Sequence, residues 1–108
     1  MKYPVTPDGR YFVVRGRLWR MSDPDLDEDE RQRLVDNLMS ARRDVKQFKT
    51  DPKKLKTARA KVHAAKVALG ERGPVWWTDK APDENKKMVK NSSYKEWWIK
   101  QTRHMSPD

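Results

Sequence analysis

The alternation of apolar and polar positions predicts a helix that starts shortly after Asp27. Apolar residues recur at spacings of four, three, four and three, which places them in one stripe on a helix from about residue 28 to residue 49. Asp27 is a candidate capping residue, with Glu30 as its capping-box partner. The stripe consists of Leu34, Leu38, Ala41, Val45 and Phe48.

A second helix with a matching stripe is predicted after the break Thr50-Asp51-Pro52. Pro52 suits the first turn of this helix, and Gly70 suits its C-terminal cap. The connection is short and the two stripes match, so the pattern predicts an antiparallel helical hairpin. The second stripe consists of Leu55, Ala58, Val62, Ala65 and Leu69.

A β-hairpin is predicted before the helices. Two aromatic and β-branched runs, 11–14 and 18–21, surround Gly16. A two-residue Arg15-Gly16 loop would place Phe12 and Trp19 on one face, whereas a three-residue loop would place Trp19 opposite Val13. The pattern leaves both registers open.

The remaining elements complete a predicted α+β fold. Residues 75–78 are a candidate third strand, 83–90 a candidate short helix, and 94–101 a last helix. We predict one domain over 1–108, with the β-hairpin packed on the helical hairpin, a helical C-terminus, and flexible ends at 1–9 and 102–108.

Composition narrows the class of protein. Of 108 residues, 35% are hydrophobic and 38% charged, which predicts a small core in which the five tryptophans take a large share. Without cysteine, disulfides, thiolate catalysis and cysteine-ligated metals are excluded. The stretch MKYPVTPDGR has no apolar core, so we expect no signal peptide. No apolar run is long enough for a membrane span, so we expect a cytoplasmic protein, and we favour a monomer.

Charge is the strongest functional signal. The net charge is +9, and residues 42–66 carry ten Lys or Arg against two Asp, whereas six acids crowd residues 23–30. Such a basic segment can bind phosphates by releasing counterions, although a solvated helix face has the same composition. The candidate anion-binding residues of the second helix are Lys53, Lys54, Lys56, Arg59 and Lys61.

The hairpin supplies a second candidate anion-binding patch, formed by Arg15, Arg17 and Arg20. Arginines beside aromatic rings on strands are typical of proteins that hold single-stranded nucleic acid. The alternative is that the hairpin aromatics belong to the core, which a chain poor in aliphatic residues needs.

Two tryptophan pairs and two carboxylates are weaker candidates. Neighbouring residues diverge on a strand or helix, so one Trp of each pair can be exposed, and Trp77 and Trp98 are candidates for an interaction surface. Asp79 and Asp83 are similar to the paired acids of hydrolases, but they also suit turns. His63 and His104 are far apart in sequence, so no metal site is predicted. No cofactor and no catalytic residue are predicted either.

The strings PDGRYFVVRGRLWRMSDP and ALGERGPVWWTDKAPDEN resemble a family of small uncharacterised bacterial proteins, over about residues 7–98. In that pattern the position after Asp79 is usually glycine, whereas here it is Lys80, a residue that adopts a positive φ less readily. The resemblance implies a bacterial, cytosolic protein and brings no activity or cofactor.

From these features we predict a non-enzymatic module that binds an anionic partner, with nucleic acid as the first candidate and an acidic protein as another. The alternative is an adaptor domain that uses exposed tryptophan. A hydrolase-like site at Asp79 and Asp83 is a remote alternative, which requires both carboxylates in one cleft.

Overall fold

The computed structural model describes residues 3–105 of the chain. An N-terminal β-hairpin and a helical C-terminus confirm the predicted α+β class. None of the helices in this part of the chain is both long and apolar enough to cross a membrane. The elements are, in order, β1 (Tyr11–Val14), β2 (Arg17–Arg20), α1 (Glu28–Gln47), α2 (Pro52–Leu69), a 3₁₀ turn (Val89–Asn91) and α3 (Lys95–Met105).

The chain forms two compact units. The hairpin unit joins the segment up to Met21 to the segment from Asp79 onward, and the helical unit is Ser22–Thr78. The single domain and the flexible ends stay predictions, and residues 1–2 and 106–108 lie outside the described residues. Within the described part, Thr6 is buried and α3 extends to Met105.

The β-hairpin has the two-residue loop. Arg15 and Gly16 have φ values of +54° and +76°, the combination that a two-residue turn between twisted strands requires. Phe12 therefore lies directly opposite Trp19. Side chains alternate between faces, so one face of the hairpin is buried and the other is partly exposed. The buried face carries Tyr11, Val13, Leu18 and Arg20.

Two further segments, one near in sequence and one distant, cover the edges of this ribbon. Val5 forms a bridge to Phe12 on one edge, and Met88 forms a bridge to Arg17 on the other. The Leu18 amide donates to the carbonyl of Lys87 at 2.9 Å. These contacts supply the cover that an isolated two-stranded ribbon needs in water.

The candidate third strand at 75–78 does not form. Residues 75–78 lie in the helical unit, where Trp77 is buried and the ring of Trp76 meets it edge-on at 5.1 Å. Burial of the Trp77 ring stabilises this segment in place of the hydrogen bonds that a strand would have made. The predicted helix at 83–90 is likewise replaced by turns and the short 3₁₀ segment.

The helical unit is an α1–α2 hairpin whose two stripes meet. Leu34 and Leu38 of α1 pack with Ala65 and Leu69 of α2, as the antiparallel prediction requires. Leu26, Val35 and Val62 pack against this cluster.

Three of the helix ends differ in how they are capped. Gly70 closes α2 in the left-handed conformation, as predicted, and its amide donates to Lys66 and Val67 carbonyls. Asp51 caps α2 by accepting the amide of Lys54. The predicted capping box of α1 is absent, since the Asp27 side chain makes no cap hydrogen bond. Three acidic residues in the first turn of α1 interact with the helix dipole instead.

Candidate nucleic-acid interface

The partly exposed face of the β-hairpin gathers aromatic rings and cations. The Tyr3 ring lies 6.2 Å from the Phe12 ring, tilted by 33°. Tyr3 is 50% exposed and Trp19 is 37% exposed, which is high for rings in a chain with so few apolar residues. We call this surface the aromatic face, and its residues are Tyr3, Phe12, Val14, Arg15, Arg17, Trp19 and Met88.

A groove of about 580 Å³ runs over the aromatic face. Its lining includes two rings, Tyr3 and Trp19, and two guanidinium-bearing side chains, Arg15 and Arg17, and no acidic residue. Arg17 donates to the carbonyl of Lys86, which fixes the direction of its side chain. Such a groove offers both a stacking surface for a planar ring and positive charge for an anion.

Arg20, the third predicted hairpin arginine, lies on the opposite face. It is 3% exposed, and its guanidinium is 2.9 Å from a carboxylate oxygen of Asp83. Its backbone amide donates to the side chain of Asn85. Arg20 therefore holds the loop around 83–85 against the hairpin and is not part of the aromatic face.

Asp79 and Asp83 each belong to a separate turn. Asp79 accepts the amide of Ala81 at 3.1 Å, and Asp83 accepts the amide of Asn85 at 2.9 Å. A hydrogen bond from Arg10 lowers the pKa of Asp79, whereas a general acid needs a raised pKa. Each carboxylate caps its own turn, which is the alternative interpretation that the sequence offered for these two residues.

The turn after Asp79 forms despite its lysine. Lys80 has a φ of +67°, in the left-handed region that favours glycine. The Asp79 carboxylate stabilises the turn by accepting the amide of Ala81 and by pairing with Arg10. The lysine therefore adopts the positive φ that we expected to be difficult at this position.

The five predicted cations of α2 are all exposed, but they do not share one face. Lys53, Lys54 and Lys61 line a shallow cavity of about 220 Å³ that also includes Asp44. Arg59 lines a different cavity with Arg42. Lys56 lines neither of the two. The helical repeat separates positions 54 and 61 from position 59.

Of the two tryptophans predicted to be exposed, Trp77 and Trp98, the first is buried. Trp77 is 8% exposed and Trp76 is the more accessible of the pair. Trp98 and Trp97 are both half-buried, with ring centroids 6.0 Å apart. Trp77 is therefore not available as a contact surface in the helical unit.

Sequence reasoning missed Tyr3 and Met88 in the aromatic face. Both are brought to the hairpin by edge segments, and no periodicity links either of them to Trp19. The available signal was the two-residue loop, one of the two registers left open, which would place Phe12 and Trp19 on one face.

A cluster of polar side chains surrounds Tyr11 of the β-hairpin. Glu84 is buried and accepts the amide of Ser93 at 2.9 Å, and its own amide donates to the Tyr11 hydroxyl at 2.8 Å. Tyr94 donates to Asp8 at 2.6 Å. Burial raises the pKa of Tyr94, and the Asp8 carboxylate raises it further. These contacts join four segments of the hairpin unit.

Among the described residues, no group of three or more His, Asp or Glu side chains is placed to hold a metal ion. No family model matches the chain, and no curated protein or solved structure matches it either.

Proposed function

We propose that the protein binds single-stranded nucleic acid through the aromatic face of its hairpin unit. The observation that carries the proposal is one groove that combines the exposed rings of Tyr3 and Trp19 with Arg15 and Arg17 and has no acidic lining residue. Unpaired bases stack on aromatic rings, and arginines contact the phosphates between them.

Single strands fit this surface better than duplexes. In a duplex the bases stack on one another, so the rings of a protein reach them only where the strands are open. The lysines of α2, among them Lys53, Lys54 and Lys56, are exposed and add a phosphate attraction that is independent of sequence. Affinity should therefore fall steeply as salt rises.

The test is fluorescence anisotropy of labelled oligothymidine and of the corresponding duplex. We expect preference for the single strand, with affinity that falls between about 50 and 200 mM salt. Trp19→Ala should weaken binding about tenfold or more, the effect of one lost stacking partner, while Trp19→Phe retains most of it.

Arg15→Gln combined with Arg17→Gln should weaken binding and reduce the salt dependence, since two phosphate contacts are lost. The matched control is Arg33→Gln, which removes the same type of charge from an exposed helical arginine paired with Glu30. Binding that is absent at low salt, or equal loss in Trp19→Ala and Arg33→Gln, would contradict the proposal.

The adaptor alternative has less support. It depended on exposed tryptophans, and Trp77 is buried while Trp98 is half-buried. Hot-spot tryptophans of protein interfaces are accessible before the partner binds.

A further inference from the structure

Three arginines line one cavity of the helical unit, on the flank of the α1–α2 hairpin. Arg42 comes from α1, Arg59 from α2, and Arg72 from the segment that follows α2. Val45 and Val62 complete the lining of the cavity, whose volume is about 350 Å³. Three chain segments thus bring their guanidinium-bearing side chains to one place.

These arginines have no carboxylate partner among the described residues, unlike others in the protein. Arg10, Arg20 and Arg33 each form an ion pair with an aspartate or glutamate. Arg31 donates to a backbone carbonyl. Like charges that share a cavity repel one another, so this flank favours any anion that bridges them.

The other flank of the same helix pair provides an internal contrast. Its cavities include Asp44 beside Lys61, so an acidic group already lies among the cations. The arginine flank has no acidic group in its lining. The two flanks therefore differ in whether an acidic side chain lies among the cations, although the same two helices build them.

Arg72 is held in place by a neighbour on α2. Its Nη1 lies 3.4 Å from Nδ1 of His63. Because a guanidinium can only donate, Nδ1 is the acceptor in this contact. Arg72 is also half-buried, whereas Arg42 and Arg59 are exposed. The contact limits the freedom of Arg72 before a ligand binds.

We infer that this cavity binds a phosphate monoester. A guanidinium presents a planar fork of donors that matches phosphate oxygens, and a terminal phosphate offers enough oxygens and charge for three such forks. The two valines offer an apolar surface to the group that carries the phosphate. The volume is at the small end of ligand cavities, which suits a mononucleotide-sized ligand or the end of a strand.

The phosphate can come from two sources, a free mononucleotide or the phosphorylated 5′ end of a nucleic acid. In the second case the inference rests on the proposed function, and the arginine cavity binds the end of the strand. In the first case it stands independently of that function.

The experiment titrates the full chain with inorganic phosphate and adenosine 5′-monophosphate, observed by calorimetry and by the arginine side-chain resonances. We expect saturable binding that Arg59→Gln and Arg72→Gln each weaken about tenfold, and that Arg59→Lys restores only in part because the fork is lost. The matched control, Arg43→Gln, removes an exposed charge next to Arg42 outside the cavity and should change affinity less than about twofold.

A second arm compares oligothymidine with and without a 5′ phosphate. Tighter binding of the phosphorylated strand, lost in Arg59→Gln and retained in Trp19→Ala, assigns the cavity to strand ends. Mononucleotide binding without any oligonucleotide binding overturns the proposed function and leaves the arginine site standing. If neither probe perturbs the three arginines, or if Arg43→Gln weakens binding as much as Arg59→Gln, the inference fails.

Discussion

The two units of this protein bury different kinds of side chain. In the helical unit the central cluster is Leu34, Leu38, Ala65 and Leu69. In the hairpin unit Tyr11, Val13 and Leu18 share the interior with three buried polar or charged residues, Thr6, Arg20 and Glu84. One unit is held mainly by apolar contact and the other by hydrogen bonds and an ion pair as well.

The two units also differ in how far apart in sequence the contacting residues lie. The helical stripes lie on two adjacent helices joined by a short connection. In the hairpin unit, Arg20 pairs with Asp83 and Tyr94 with Asp8, so polar contacts join residues from both parts of the unit. The buried polar residues Arg20 and Glu84 are sensitive to the loss of a partner, because each would remain buried without it.

The largest effect is expected from Leu69→Ala in the helical unit. Leu69 is 1% exposed within the apolar cluster, so truncation should lower the free energy of unfolding by about 2–5 kcal/mol. Urea unfolding followed by circular dichroism measures the loss, and the indole resonances of Trp76 and Trp77 report it locally. Val67→Ala, at an exposed position of the same helix, is the control and should cost much less.

Arg20→Ala should cost about 2–3 kcal/mol, because it removes a buried side chain together with its hydrogen bond to a charged partner, Asp83. Arg42→Ala, at the exposed arginine cavity, should change the free energy of unfolding by less than about 0.5 kcal/mol. The indole resonance of Trp19 should respond to Arg20→Ala more than those of Trp76 and Trp77. If both variants lost the same unfolding free energy, Arg20 could not be distinguished as a structural arginine from Arg42 as a candidate ligand-binding one.

Gly70→Ala tests the closure of the helical unit and should cost about 1–3 kcal/mol. Gly70 has a φ of +88°, and an added Cβ would lie 3.0 Å from the backbone nitrogen of Asp23. Gly9→Ala, at φ +74° with no atom within 4 Å of the added Cβ, isolates the conformational strain from the clash. A Gly70→Ala variant no less stable than Gly9→Ala would show that the close approach is unimportant.

A smaller effect is expected from Tyr94→Phe, about 1 kcal/mol, because it removes one hydrogen bond to a charged group. The variant should also alter the pH dependence. Burial opposes ionisation of Asp8, but hydrogen bonds from Tyr94 and Thr6 prevail and lower its pKa. The contribution of Asp8 is therefore present above its unfolded pKa, near 4, and is lost as pH falls through the lower folded value.

At high pH the sign is opposite. Burial raises the pKa of Tyr11 and of Tyr94, so the folded hairpin unit retains protons that the unfolded chain has released. Stability should decrease as pH rises above about 10, the unfolded tyrosine value. Thermal unfolding across pH tests both limbs, and Tyr94→Phe should flatten each of them. An unchanged profile in Tyr94→Phe would rule out this role for the Tyr94–Asp8 pair.

The sequence predicted the helical unit well because its information is local. Apolar spacing located both helices, and Pro52 and Gly70 marked ends that the structure confirms. The hairpin was also local, although its register stayed open until the positive φ of Arg15 and Gly16 resolved it. The class of fold followed from these elements.

The candidate sites were harder to predict because they depend on distant partners. Burial of Arg20 follows from Asp83, 63 residues away, and no spacing rule connects the two. The arginine cavity needs Arg72 to return to the flank of α2, and a helical pattern does not encode the path of a loop. For the same reason Trp77 was expected at the surface and is buried.

The covered edges of the β-hairpin limit how a partner can approach. Residues near Val5 occupy one side of the ribbon, and residues around Lys87 occupy the other. An extended peptide therefore cannot extend the sheet by adding a strand, which is a common mode of peptide capture. The same cover blocks the edge-to-edge pairing through which exposed strands start fibrils. Recognition at the hairpin is left to side chains on its face.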